Sequence, residues 1–140
     1  MGKVQILAVL TMDGCLSSEL YDKAHQDLCL DRCGLDEIRN KALYRVTPDY
    51  SISMLHEWRK DCTNIRYLAE ATPDTADYIN GLLRMHAVDE IILYTVPFIS
   101  GSGRHFFKSA LPEQHWTLSS LKSYSNGVCR IIYILDKKAR

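Results

Sequence analysis

The sequence has no excess of either charge: seventeen Lys and Arg stand against seventeen Asp and Glu. That balance removes the general attraction that nucleic acid or an anionic membrane requires, so any anion site has to be local. A long apolar run is also missing. The opening MGKVQILAVLTMDG is interrupted by Gln5, Thr11 and Asp13; it is too short for a bilayer and lacks a small-residue cleavage site, so the expectation is a buried strand in a cytoplasmic protein. Cysteine is not patterned. Cys15, Cys29, Cys33, Cys62 and Cys129 form an odd set at irregular spacing, which favours reduced thiols over a disulfide framework. The four prolines are scattered and no repeat or Pro/Gly/Ser-rich linker occurs; one domain over residues 1–140 is expected.

What is present alternates between strand and helix patterns. Val4, Ile6, Leu7, Val9 and Leu10 make the near-continuous apolar run of a central strand over 3–11, and Asp13-Gly14 turns the chain. Leu20, Tyr21, Ala24 and Leu28 recur at helical spacing, with Gly34 as a plausible C-cap. ALYRVT at 42–47 reads as a short strand stopped by Pro48, and Leu55, Trp58 and Cys62 suggest a short helix. TNIRYLAEA at 63–71 reads as a strand, after which Thr72-Pro73-Asp74 offers a hydroxyl cap, a proline at N1 and an acid in the first turn. Ala76, Ile79, Leu82, Leu83 and Val88 share one face of the helix that follows, and Glu90 to Val96 returns as a second buried strand. Strand, helix, strand in this order implies a parallel pair with a right-handed crossover. Residues 116–124 and 128–135 flank Ser125-Asn126-Gly127, a strong hairpin signal. The fold class is therefore α/β with a mixed sheet.

Several residue groups carry chemistry. His25, Cys29 and Cys33 would stack on one helical stripe, but three ligands on a straight helix span too far to meet one ion; a half-buried face with cysteine as a small hydrophobe is the preferred reading, and no metal is expected. Arg45 and Thr47 place a guanidinium and a hydroxyl at the carboxyl end of a strand, where open α/β sheets bind ligands. Glu70 precedes a helix N-terminus, where an anion could meet free N–H groups, although an ordinary capped helix accounts for the same residues. Gly101-Ser102-Gly103 lacks the P-loop lysine and reads as a turn.

LLRMHAVDEIILYTVPFISGSGRHFF resembles the dihydrofolate reductase-like superfamily, most closely the reductase domain of the bacterial riboflavin-biosynthesis deaminase-reductase. LAVLTMDGCLS at 7–17 is similar to that family's first strand and turn, and RIIYILDKK to its last strand. The resemblance implies a three-layer fold: a mixed, mostly parallel sheet flanked by helices, with a C-terminal antiparallel hairpin. It also implies NADPH bound across the carboxyl ends of the strands and hydride transfer to a pteridine or pyrimidine-type substrate. By position, Ala8 and Leu10 would line the nicotinamide pocket, Arg45 and Thr47 would hold cofactor phosphates, and Thr72, Pro73 and Asp74 would face the pyrophosphate. Glu70 would contact substrate, and no catalytic residue is assigned, since neither Asp22 nor Asp27 stands in a matching motif. Where the family carries Gly-Gly or Ala-Gly, this chain has Ala71-Thr72. A reductase-fold protein that has lost NADPH binding and serves as a small-molecule binding or scaffold protein is thus the alternative. A homodimer is a further expectation, with Phe98, Phe106 and Phe107 as candidate contacts.

Overall fold

The structure is a computed structural model that describes residues 2–16, 33–60, 64–97, 99, 101, 105–108 and 110–136. Residues 17–32, on which the helix expected from Ser18 toward Gly34 falls with Asp22, His25, Asp27 and Cys29, lie outside the described residues, as do Cys62, Phe98, Ser102 and Gly103.

Six strands form one sheet: β1 (Lys3–Leu10), β2 (Tyr44–Arg45), β3 (Arg66–Glu70), β4 (Glu90–Thr95), β5 (Trp116–Ser123) and β6 (Cys129–Leu135), in the order β2-β3-β1-β4-β6-β5. The first four in that order run parallel, and β6 and β5 are antiparallel. β1 is central because it is apolar on both faces. Val4, Ile6, Ala8 and Leu10 enter one buried cluster, while Leu7 and Val9 enter another on the opposite face. Each fully buried Leu or Ile of this kind contributes about 1.5–3 kcal/mol.

Helices cover the two faces. α1 (Leu35–Lys41) brings Leu35 into the cluster with Leu7, Leu68, Ile92 and Tyr94. α2 (Ile52–Arg59) and α3 (Ala76–Arg84) bring Leu55, Ala76, Ile79, Leu82 and Leu83 to the other. α1 was not among the expected elements. Its signal is short: Leu35 and Ile38 three apart, acids in the first turn and Arg39 and Lys41 in the last, a charge order that suits the helix dipole. Gly34 does adopt a left-handed conformation, φ 81°, but it stands at the start of α1.

Four further expectations are corrected. β3 and β4 are parallel but not adjacent, because β1 lies between them. The strand expected over 42–47 shrinks to two residues, since this edge has only β3 to pair with; pairing continues through Val46, whose N–H donates to the Leu68 carbonyl at 2.8 Å. Val88 lies beyond the end of α3, buried in the loop before β4. Phe106 is fully buried in the core and cannot serve as a surface contact. The hairpin falls where expected: Gly127 takes φ 90°, and the Tyr124 N–H donates to the Val128 carbonyl at 2.9 Å.

Tyr94 pins β4 to the segment before α1. Its hydroxyl, and that of Tyr124, each donate to the Cys33 carbonyl at 2.8 Å. Burial pushes the Tyr94 phenol up from 10.0 to about 12, against the opposing pull of Arg130. The unfolded chain therefore releases this proton first. The stabilisation is complete below the ordinary phenol value and is lost as pH rises from there toward about 12. Urea unfolding across this alkaline range should show the fall, and Tyr94→Phe should flatten it; an identical slope in the variant would refute the assignment.

Candidate functional site

The parallel strands end along one edge, and the loops there are stitched together by their own polar groups. The Thr11 N–H donates to the Cys15 carbonyl at 2.9 Å, the Cys15 N–H to Thr11 Oγ1 at 3.1 Å, and the Thr11 hydroxyl also meets Asp13 Oδ1. Asp13 Oδ2 in turn accepts the Gly101 N–H at 3.0 Å, so the glycine turn after β4 addresses a carboxylate. Gly101 has φ 77° with open space where a Cβ would stand, which marks conformational need for a turn.

Arg45 and Glu70 come together at this edge, joined by a residue the sequence reading missed. Glu70 Oε1 accepts from Arg39 Nε at 2.9 Å and Nη2 at 2.5 Å, and its Oε2 accepts from Arg45 Nη1 at 3.2 Å. Arg45 pairs in register with Leu68, which shares its side of β3 with Glu70, and α1 covers that face. Arg39 Nη1 also lies 3.8 Å from Asp36 Oδ1, so two guanidiniums stand against two carboxylates, and Arg45 is the more exposed of the two cations. The Arg45 side chain is 56% exposed and the Glu70 side chain 29%, so both are open to a ligand. Nothing in local sequence marks Arg39 as their neighbour.

The turn from β3 to α3 behaves differently. Thr72 Oγ1 accepts the Thr75 N–H at 3.2 Å, while Thr75 Oγ1 accepts the Thr72 N–H at 2.8 Å and donates to the Glu70 carbonyl at 2.8 Å. This is a reciprocal capping box with threonine in place of the usual Glu or Gln. Ala76 already donates to the Thr72 carbonyl at 2.9 Å, so the expected capping turn is present although α3 is assigned from Ala76. Its consequence is electrostatic. Thr72 and Thr75 have engaged their N–H groups within the turn and Pro73 has none, so Asp74 supplies the one remaining N–H of positions 72–75, alongside its own carboxylate. A diphosphate would fit poorly here and fits better at Arg45, Arg39 and exposed Thr47.

Ala8 and Leu10 are 1% and 7% exposed, in the same buried cluster as Leu16, Val46, Ala76 and Phe106. They lie on the opposite face of β1 from Leu7 and Val9, away from the cluster that α1 covers. A nicotinamide could reach them only through movement of the covering side chains. Among the described residues no group of three His, Cys, Asp or Glu could hold a metal, and no helix is long and apolar enough to cross a membrane.

Residues 73–130 match the family model described as the RibD C-terminal domain. No curated protein matches the sequence. Among solved structures, the chain is similar to a protein assigned to riboflavin biosynthesis from Shewanella sp. PV-4, at 11% identity over 96% of this chain and 99% of that one, with a TM-score of 0.63. It is also similar to Acinetobacter baumannii RibD: form 1 at 11% identity over 98% of this chain and 59% of that one, TM-score 0.56, and form 2 at 12% over 97% and 58%, TM-score 0.54. This chain thus spans less than two thirds of the Acinetobacter protein. At these identities the likeness is one of fold. The family match covers less than half of the chain, and the solved structures share its fold, a mixed sheet of six strands flanked by helices.

Proposed function

We propose that this chain is an NADPH-dependent reductase of a pteridine or pyrimidine-type substrate, working at the carboxyl edge of β2, β3 and β1. The Arg39–Glu70–Arg45 cluster carries the reading: it puts an exposed guanidinium and a half-open carboxylate at one place on that edge. Arg45 and Thr47 suit a cofactor phosphate, because a guanidinium and a hydroxyl donate to phosphate oxygens in complementary directions. Glu70 can accept hydrogen bonds from the ring N–H or amino groups of a heterocycle, and Arg39 holds it in place for that role. The bound cofactor would supply hydride.

The alternative, a reductase-fold protein that binds a small molecule without NADPH, is favoured by the engaged N–H groups of the 72–75 turn. Fold alone does not separate the two. Quenching of Trp58 and Trp116 fluorescence by NADPH does. Saturable quenching is expected, weakened by about tenfold to hundredfold in Arg45→Ala, the scale of a charge-assisted hydrogen bond. No quenching at millimolar NADPH would leave the cofactor-free reading in its place.

A further inference from the structure

The opposite, amino edge of the sheet carries a concentration of positive charge that the carboxyl-edge site does not use. Lys3 of β1 and Arg66 of β3 are register partners, so their side chains leave the same face side by side. Lys41, in the last turn of α1, lines the same groove of about 300 Å³. No ion pair joins Lys3, Lys41 or Arg66 to an acid among the described residues. Like charges set side by side on neighbouring strands are destabilising unless something neutralises them.

A second groove, of about 210 Å³, shares Lys41 and Arg66 and runs on between α1 and the sheet over Ile92 and Ile132. Two polar groups there lack partners. Gln5 is 5% exposed, lines this groove, and its side-chain amide bonds to nothing among the described residues. Arg130 Nε is buried with no hydrogen-bond partner. Gln5 sets an amide in a strand otherwise filled by Val4, Ile6 and Leu7, and a buried guanidinium nitrogen without a partner is destabilising. Glu37 and Glu90 also line this second groove, which makes its charge mixed, whereas the first is lined by Lys3, Lys41 and Arg66 with neutral Asn64 and Ile65 and no acid.

We propose that these adjoining grooves form a second ligand site, which takes a small molecule bearing a compact oxyanion, phosphate or carboxylate. The oxyanion sits among Lys3, Lys41 and Arg66, and the ligand's polar body reaches Gln5 and Arg130 across the apolar floor of Ile92 and Ile132. The site lies at the far ends of the strands from Glu70 and does not rest on the reductase reading.

Nuclear magnetic resonance of the full chain tests it, with the Lys3 and Lys41 backbone amides, which flank the oxyanion position, as reporters. Sodium phosphate and sodium acetate are titrated separately against sodium chloride at matched ionic strength. Saturable shifts of both reporters are expected, with a dissociation constant of about 1 mM. Saturation by phosphate identifies a phosphate-bearing ligand, and saturation by acetate a carboxylate. Arg66→Glu should weaken binding at least about tenfold, and so should Lys41→Glu, an exposed helical position that avoids any folding defect at Arg66. Shifts no larger than those with chloride, or unchanged affinity in both folded variants, would overturn the site.

Discussion

Arg59→Ala is expected to lower the unfolding free energy by about 3–5 kcal/mol, the usual cost of removing one partner from a buried ion pair. Arg59 ends α2 and is 7% exposed. Its Nη1 lies 3.4 Å from Asp89 Oδ1 and donates to the His86 carbonyl at 3.1 Å, and its Nη2 is 3.0 Å from His56 Nδ1. Asp89 Oδ2 accepts the Val4 N–H at 2.9 Å, so one guanidinium links α2, the α3–β4 loop and the start of the central strand. His86 holds φ 55°, a conformation that a non-glycine residue keeps only when its surroundings impose it. Removing the guanidinium leaves the Asp89 carboxylate uncompensated and releases that loop. Urea unfolding would measure the change, and a loss below about 1 kcal/mol would place this pair with ordinary surface ion pairs.

Asn80→Leu, close in size, is expected to cost about 2–6 kcal/mol, because the Phe106 carbonyl and the Lys108 N–H lose their partner at about 1–3 kcal/mol each. Asn80 is fully buried on α3. Its Nδ2 donates to the Ala76 and Phe106 carbonyls at 2.8 Å each, and its Oδ1 accepts the Lys108 N–H at 3.0 Å. The amide therefore fastens residues 106–108, and with them buried Phe106, to the helix. Thermal unfolding should show the loss, and amide exchange at Lys108 should quicken. Unchanged stability would mean that the 106–108 segment is held by the burial of Phe106 alone.

Much of the scaffold was legible in local pattern. The apolar run at 3–11 is a strand with nearly every side chain buried, that at 90–96 buries Ile91, Ile92, Tyr94 and Val96, and Asn126-Gly127 makes the hairpin because a tight turn needs positive φ. α1 escaped because seven residues with two apolar positions offer too little periodicity to stand out. Asn80 escaped for another reason: a polar residue inside a helical stripe reads as a flaw in the pattern until its distant partners are seen. Strand adjacency was also out of reach, since nothing in the order of strands states that β1 lies between β3 and β4.

The sequence by itself determined that this is an α/β chain with a hairpin end, that its net charge excludes broad electrostatic binding, and that Arg45, Glu70 and Thr72 stand at strand ends and a helix start. Those properties follow from local propensity, periodicity and composition, which need no long-range contact. Tertiary structure alone decided that Arg39 joins Arg45 through Glu70, and that Lys3, Lys41 and Arg66 line one groove. Each depends on which elements lie side by side, and packing sets that across separations of up to sixty residues and more, where sequence pattern carries no distance information.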